Sequence, residues 1–245
     1  MSESVTKALC ALETSRPYAA ATRHPFLTAA GTQTLPPSRL ALWLAQDRIY
    51  AAHAYPSFVG RLIASIPWSK HPTDSSEEAR NERTLKTLVY ALQNVVREVG
   101  FFDALGGRWG FQVTQWKERK ATRDYTAEMG SVAARGDVFE GLVFLWAMEK
   151  VYLDAWTYVR STFEETMGKG VAEVSDSAIA SLAANWTSPE FIAFVDDLAG
   201  LVDSFGVARG SARWARAESL WGRVVELEAE FWPEEGDELA ASSPV

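Results

Sequence analysis

The stretch PSRLALWLAQDRIYAAHAYPSFVGRLIASI, residues 37–66, decides the fold class of this 245-residue chain. Its large apolar residues recur at steps of three and four, which is the period of an amphipathic α-helix. The apolar positions on that face are Leu40, Trp43, Leu44, Tyr50, Ala51, Ala54, Phe58, Leu62 and Ile66. Pro36 and Pro37 stand at the start, where backbone N–H groups have no helical partner. We expect Pro56 to kink this helix and Pro67 to end it.

The same helical period recurs along the rest of the chain. It predicts further helices at 78–99, 137–167, 188–202 and 211–232, and a shorter one at 117–134. Gly100 and Gly168 stand where two of these helices should end, and Pro233 should stop the last. The polar stretch 69–76 and the glycine-rich stretch 101–111 are predicted loops.

Alternating strand patterns bounded by turn residues are absent, so we predict an all-α chain. The expected architecture is one helical domain over residues 1–245, a bundle of seven or eight helices. The acidic tail 234–245 is expected to be frayed.

The composition excludes several classes of protein. With 24 basic and 32 acidic residues the net charge is −8, which repels a phosphate backbone and argues against nucleic-acid binding. Cys10 is the one cysteine, which excludes an internal disulfide and indicates a reducing compartment. Residues 1–16 lack the apolar core of a secretory signal, and no apolar run approaches the roughly 20 residues that span a bilayer. We therefore expect a cytoplasmic protein without a membrane partner.

Three carboxylates occupy apolar helix faces. Residues three and four positions apart on a helix share a face. The neighbours at those places are Trp43, Leu44, Tyr50 and Ala51 for Asp47; Leu145, Trp146, Tyr152 and Leu153 for Glu149; and Val224, Val225, Phe231 and Trp232 for Glu228. Burying an unpaired carboxylate costs several kcal/mol or forces it to protonate. Such groups therefore mark a candidate site.

Each buried acid could instead be structural, accepting from a Tyr hydroxyl, a Trp N–H or an Arg. Asp196 and Glu218 also pass the test, with smaller neighbours, so the test gives false positives. Three acids on three helices nevertheless favour a shared cavity. The chain holds 10 Trp, 12 Phe and 7 Tyr, and Tyr50, Tyr125 and Tyr152 could supply donors and stacking surfaces to a flat polar ligand.

The histidines do not support a metal or haem site. His24 precedes a proline, His71 lies in a polar stretch, and His53 is off the face of Asp47. No Glu-x-x-His pair is present, and no histidine lies on an apolar helical stripe, so we expect neither a di-iron centre nor a haem, and no cofactor.

An ordered series of short motifs runs through residues 17–232. They are His24-Pro25-Phe26, Leu35-Pro36, Gln46-Asp47-Arg48-Ile49-Tyr50, Thr122-Arg123-Asp124-Tyr125, LVFLWAMEKVYLDAW at 142–156, Trp186-Thr187-Ser188-Pro189-Glu190-Phe191 and Glu228-Ala229-Glu230-Phe231-Trp232. Each motif is weak alone, and the ordered set resembles the TenA family of thiaminase II or aminopyrimidine aminohydrolases. The resemblance implies a haem-oxygenase-like helical fold and a homo-oligomer, either dimer or tetramer.

The resemblance also assigns roles to residues on the apolar faces. It implies that Asp47 hydrogen-bonds an aminopyrimidine ring, that Tyr50 supports the pocket and that Tyr125 stacks on the ring. Glu228 would be the acid or base beside the scissile C–N bond. Tyr152 and Trp186 are further candidates for substrate binding.

The chain departs from the family pattern at its nucleophile. In the string corresponding to L-P-C-x-W-x-Y, Phe144 replaces the cysteine and Met148 the tyrosine, and Trp186 stands for a tyrosine further on. Cys10 is far from these motifs. The departures point to the cysteine-less, TenA_E-like branch, in which a glutamate is thought to replace the thiolate. Glu149 is our candidate for that glutamate.

The resemblance implies hydrolysis of amino- or formylaminomethyl-pyrimidines in thiamin salvage, and thiamin cleavage is not expected without the thiol. Two other functions remain open at this point. One is a pyrimidine-binding or regulatory protein that has kept the pocket and lost the chemistry. The other is a metal- or cofactor-dependent oxygenase on the same fold.

Overall fold

Helices form every regular element of the computed structural model, which describes residues 4–69, 75–111, 116–168 and 177–241. In chain order they are α1 (Val5–Cys10), α2 (Tyr18–Thr22), α3 (Pro25–Gly31), α4 (Pro37–Ile49), a π-helical turn (Tyr50–Ala54), α5 (Tyr55–Ala64), α6 (Ser76–Trp109), α7 (Lys120–Arg135), α8 (Val138–Met167), α9 (Ala178–Trp186), α10 (Pro189–Asp203), α11 (Ala212–Phe231) and α12 (Asp237–Ala241). The described part contains no strand, and the all-α prediction is confirmed.

Helix α8 is the centre of the bundle. Every residue from Val138 to Met148 is buried, as expected for a helix that is apolar on all sides. Helices α2, α3, α9, α10 and α11 all pack against it. Asp137 caps its first turn by accepting from the N–H of Glu140 (3.0 Å), and Gly168 follows its last residue with φ of +104°. The predicted bounds of this helix are confirmed.

The starts of α10 and α11 are also as predicted. The N–H of Phe191 donates to Ser188 Oγ (3.2 Å), and the N–H of Trp214 donates to Ser211 Oγ (3.1 Å). Each serine therefore satisfies one N–H that has no partner within the helix. Helix α7 begins at Lys120, three residues later than predicted.

The kink expected at Pro56 takes a different form. Helix α4 is followed directly by a π-helical turn, in which the N–H of Tyr55 donates to the carbonyl of Tyr50, five residues back. Pro56 then lies in the first turn of α5. Proline cannot donate a backbone hydrogen bond and crowds the carbonyl four residues back, so the wider turn just before it removes both problems. Helix α5 ends at Ala64, three residues before Pro67.

The prediction that a helix ends at Gly100 is wrong. Helix α6 runs on to Trp109, through a segment predicted as a loop, and ends at Gly110 with φ of +68°. Phe102 and Leu105 are buried on the same side of the helix as Val95. Their burial outweighs the cost of a helical glycine, about 1 kcal/mol.

The chain has more helices than the seven or eight predicted. Five short helices (α1, α2, α3, α9 and α12) lie in segments that the periodicity did not assign. Part of the tail that the sequence predicted to be frayed is helical, since residues 237–241 form α12. In α12, Glu238 pairs with Arg39 through two hydrogen bonds (2.9 and 3.0 Å), and Asp237 pairs with Arg119 (2.6 Å). The tail residues 242–245 and most of the predicted loop 69–76, with His71, lie outside the described residues.

Stacked aromatic rings form the core beside the candidate site. Trp156 lies 4.9 Å from Trp186 and 5.4 Å from Trp43 between ring centroids. Tyr152 stacks on Trp232 at 5.6 Å. These rings fix the inner wall of the cavity described below. Within the described ranges, no helix has the length and apolarity needed to cross a bilayer.

Candidate active site

Helices from both halves of the sequence enclose a cavity near the middle of the bundle. Its lining residues are Asp47 on α4, Tyr50 in the π-helical turn, Tyr55 on α5, Asn94, Val95 and Glu98 on α6, Met148, Glu149 and Tyr152 on α8, Trp186 on α9 and Glu228 on α11. The structure therefore brings together six of the seven residues predicted from the sequence. Tyr125 is the seventh, and it lies behind the lining.

Each of the four carboxyl groups accepts a hydrogen bond from one aromatic side chain. The pairs are Tyr152 with Asp47 (2.7 Å), Tyr55 with Glu149 (2.6 Å), Trp186 with Glu98 (2.7 Å) and Tyr125 with Glu228. The sequence left open whether the acids pair with aromatic donors or share a cavity, and here they do both. These donors are neutral, so none of these four bonds compensates a negative charge with a positive one.

Burial therefore dominates the acidity of the four groups. It raises the pKa of Glu228 from 4.5 to about 8, against the hydrogen bond from Tyr125, which lowers it. Burial raises the pKa values of Asp47 and Glu149 to about 7 each, although the hydrogen bonds that they accept lower them. The pKa of Glu98 is raised well above its usual value, by burial and by the neighbouring acids.

Glu228 has one further property that matters chemically. Only 1% of the residue is exposed, and its Oε2 atom has no hydrogen-bond partner among the described residues. A buried acceptor without a partner costs about 1–3 kcal/mol when the group is neutral and more when it is charged. This oxygen is therefore the position at which a proton is best held.

Glu98 is the site residue that the sequence analysis missed. It passes the same helical-face test, because Val95, Phe101 and Phe102 lie at three of its four neighbouring positions. The predicted end of the helix at Gly100 placed Phe101 and Phe102 in a loop, so the apolar face around Glu98 was not predicted. The wrongly predicted helix end therefore kept Glu98 out of the predicted site.

Tyr125 differs from its expected place. It is 2% exposed, and its ring lies 5.3 Å from that of Tyr50 and 5.9 Å from that of Phe231. Because its ring does not line the cavity, stacking of Tyr125 on a ligand does not follow from this geometry. Its hydroxyl donates to Glu228 and so positions that carboxyl group.

The two residues that replace the family's cysteine and tyrosine also have defined surroundings. Phe144 is fully buried, 5.7 Å from the ring of Phe58 and 6.3 Å from that of Tyr125. Met148 lines the cavity and accepts a hydrogen bond from the hydroxyl of Tyr50 on its sulfur (3.3 Å). An apolar ring thus occupies the position of the nucleophile.

The other two acids that passed the helical-face test lie outside the cavity. Asp196 is exposed, and Glu218 accepts a hydrogen bond from the indole of Trp214 (2.8 Å) one turn earlier on α11. Small residues among their neighbours distinguish them from the three acids that converge. Glu218 provides a matched control for Glu228, since both glutamates are on α11 and both accept from an aromatic donor.

The described residues contain no group of three His, Cys, Asp or Glu side chains placed to hold a metal ion. His24 has a structural role: its Nδ1 accepts from the N–H of Phe26 (3.1 Å) and its Nε2 lies 3.3 Å from Glu234. Cys10 is exposed at the end of α1.

The cavity is small in this structure, with a volume of about 30 Å³. That is room for a few water molecules, whereas sites for drug-sized ligands usually measure about 300–1,000 Å³. A ring-sized ligand could therefore bind only if lining side chains move.

Comparisons with known proteins agree with this architecture, although no family model matches the chain. A protein of Fusarium pseudograminearum described as a "probable transcription factor" is 26% identical over an alignment of 246 positions. The alignment covers 87% of this chain and 49% of that protein. The chain thus spans about half the length of that relative. A Glycine max protein described as a "probable bifunctional TENA-E protein" is 20% identical and is covered over 86% of its length, with 88% of this chain.

Solved structures show the same fold. A TenA homologue from Pyrococcus furiosus superposes with a TM-score of 0.74 at 21% identity, over 93% of this chain and 98% of that one. A TenA family transcription regulator from Silicibacter gives 0.74 at 17% identity, over 98% and 97%. The chain is therefore an all-α protein with the TenA fold. The resemblance to the TenA family, read first from short motifs, is confirmed.

Proposed function

We propose that this chain is a TenA-type hydrolase that cleaves the exocyclic C–N bond of aminomethyl- or formylaminomethyl-pyrimidines in thiamin salvage. The observation that carries the proposal is the pair Glu149 and Glu228, two carboxyl groups that line one cavity, each accept from one tyrosine, and have raised pKa values. Two acids in unequal environments can hold opposite protonation states near neutral pH.

In this proposal Glu228 is the general acid and Glu149 the general base. At pH 7, below its pKa of about 8, Glu228 holds its proton and can pass it to the departing nitrogen. Glu149 is about half ionised at pH 7 and can take a proton from water. The water oxygen bonds to the methylene carbon as the C–N bond breaks, which yields the hydroxymethyl-pyrimidine together with ammonia from the amine or formamide from the formylamine.

The charge of the lining favours an amine over an anionic substrate. Four carboxyl groups line the cavity, and none of the described lining residues is basic. A phosphate or carboxylate in this cavity would have no positive partner, whereas an amine or an aminopyrimidine can donate to the acids. Asp47, held by Tyr152, is the proposed partner of the ring amino group.

Tyr50 is the lining side chain that we expect to move when a ring binds. Its hydroxyl donates to the thioether of Met148, and sulfur is a weak acceptor. Breaking this bond costs less than separating any of the four carboxyl groups from its donor. The ring of Tyr50 could then lie against the ligand, which is the supporting role implied by the family resemblance.

The test is turnover. Purified protein is incubated with the aminomethyl-pyrimidine, and ammonia and hydroxymethyl-pyrimidine are quantified by chromatography. We expect equimolar products, and we expect Glu149→Gln to lower the rate by at least about 100-fold. Glu218→Gln is the matched control and should keep the rate. No product from the wild-type protein, or an unchanged rate in Glu149→Gln, would contradict the proposal.

A second candidate is a protein that binds such a pyrimidine without hydrolysing it. Phe144 in place of the family's cysteine favours it. Two similar proteins, from Fusarium pseudograminearum and Silicibacter, are also described as transcriptional proteins. Saturable binding of the pyrimidine without product formation would establish this second function.

A further inference from the structure

A second depression on the surface adjoins the cavity at α6. Asn94 and Glu98 line both spaces, so these two side chains stand between the cavity and the depression, and we call this place the mouth of the cavity. The outer depression has a volume of about 210 Å³, against about 30 Å³ inside. A substituent that extends from a ligand in the cavity therefore has room in this direction.

The mouth combines a hydrogen-bond donor and an acceptor. Arg97 Nη2 donates to Asn94 Oδ1 (3.1 Å), which orients the amide and leaves its nitrogen to donate. Trp186 Nε1 donates to Glu98 Oε1 (2.7 Å), which fixes the carboxyl group. Asn94 and Glu98 are four residues apart on one helix, so their Cβ atoms lie about 5–6 Å from each other on the same face.

This pairing is complementary to an amide group. The carbonyl oxygen of an amide accepts from a donor such as Asn94 Nδ2, and its N–H donates to an acceptor such as Glu98. A free amine in its protonated form offers donors only, and cannot accept from Asn94 Nδ2. The mouth thus distinguishes an acylated nitrogen from a free one.

We propose that Asn94 and Glu98 are specificity-determining residues that bind the N-acyl amide of the substrate, and that the outer depression is the subsite for the acyl group. The proposal rests on the function proposed above and names the part of the substrate that lies outside the inner cavity. The volume of the depression allows acyl groups larger than formyl.

The ion pair beside the depression supports this assignment. Arg97 also pairs with Glu190 (2.8 Å), and the hydroxyl of Tyr90 donates to the same carboxylate (2.8 Å). These contacts hold the guanidinium that orients Asn94. The donor at the mouth is therefore preorganised by residues on two helices, α6 and α10.

The experiment measures binding by calorimetry for three ligands: the free aminomethyl-pyrimidine and its N-formyl and N-acetyl derivatives. Asn94→Asp replaces the donor by an acceptor with little change of shape. We expect its Kd for both acyl ligands to rise at least about tenfold and its Kd for the free amine to change far less. Glu98→Gln, a second variant that replaces one carboxyl oxygen by an N–H₂ donor, should lose the acyl preference as well.

Gln93→Glu is the matched control. It makes the same amide-to-carboxylate change one residue earlier, at an exposed position. We expect all three affinities to stay at the wild-type values. Melting curves confirm that each variant is folded before its affinities are compared.

The outcomes separate this inference from the proposed function. If the wild-type protein turns over the substrate, and both Asn94→Asp and Glu98→Gln keep its preference for acyl ligands, the subsite is overturned and the proposed function is not. A selective loss of acyl affinity in a protein without turnover supports the subsite and overturns hydrolysis. Failure of N-acetyl to bind where N-formyl binds overturns the assignment of the outer depression, and a wild-type protein that binds none of the ligands overturns both proposals.

Discussion

Glu228→Gln should make the unfolding free energy of this protein less dependent on pH. The pKa of Glu228 is raised from 4.5 to about 8 in the folded state, mainly by burial. In the unfolded chain the group ionises near 4.5, so raising the pH between 4.5 and 8 favours unfolding. The neutral Glu228 therefore contributes its full share to the unfolding free energy below pH 4.5, and this contribution is lost as the pH rises through 8.

The magnitude follows from the size of the shift. One pKa unit corresponds to 1.36 kcal/mol, so the full effect above pH 8 is about 5 kcal/mol. Water that enters the cavity with the ionised group reduces this effect, and we expect at least about 2 kcal/mol. The glutamine remains neutral, and its Oε1 can still accept from Tyr125. Its new N–H₂ group replaces an oxygen without a partner, and that difference does not depend on pH.

The assay is urea unfolding of wild type, Glu228→Gln and the control Glu218→Gln at pH 5 and pH 8.5. We expect the unfolding free energy of Glu228→Gln, taken relative to that of wild type, to be higher at pH 8.5 than at pH 5 by at least about 2 kcal/mol. The control should show the same pH dependence as wild type. Turnover of the aminomethyl-pyrimidine is measured on the same samples and should fall at least about 100-fold in Glu228→Gln. If the difference in unfolding free energy between Glu228→Gln and wild type were the same at both pH values, the claim that Glu228 is buried as a neutral acid would be refuted. An unchanged rate would refute the catalytic role.

Three further predictions concern other parts of the molecule. The kcat/KM profile should be bell-shaped, rising as Glu149 loses its proton near pH 7 and falling as Glu228 loses its proton near pH 8; a profile flat from about pH 5 to pH 10 would exclude both groups. Cys10→Ser should retain full turnover, because the thiol is exposed at the end of α1, and loss of activity in a folded variant would mean that the nucleophile is misassigned. Arg39→Ala should lower the unfolding free energy by about 1–3 kcal/mol, because it leaves the buried Glu238 unpaired, and urea midpoints equal to wild type would show that this pair does not anchor the tail.

The sequence predicted those helices whose ends carry a local signal. Asp137, Ser188 and Ser211 each accept from a backbone N–H in the first turn, and that chemistry can be read from the residues alone. At Gly100 the local signal was misleading, since burial of Phe102 further along keeps the helix intact. Short helices such as α2 have too few residues for a period to be recognised, and packing against α8 and α11 holds this one.

The site was predictable to the extent that a buried charge is unusual. Asp47, Glu149 and Glu228 were identified because large apolar residues surround each of them on its helix. Their convergence depends on how α4, α8 and α11 pack against one another, which no local pattern specifies. The same holds for the hydroxyl of Tyr125, whose aim at Glu228 is set by the angle between α7 and α11.

The π-helical turn lets the chain hold one extra residue without changing the direction of the helices on either side of it. A π-helical turn contains about one residue more than an α-helical turn, so its five residues rotate about as far around the axis as four residues of a regular helix. Deleting one residue between Tyr50 and Ala54 would therefore restore a regular helix and leave Asp47 and Tyr55 on their present sides. The hydroxyl of Tyr55 could still donate to Glu149, as it now does at 2.6 Å. A one-residue gap at this place in a related chain is thus compatible with all four aromatic donors.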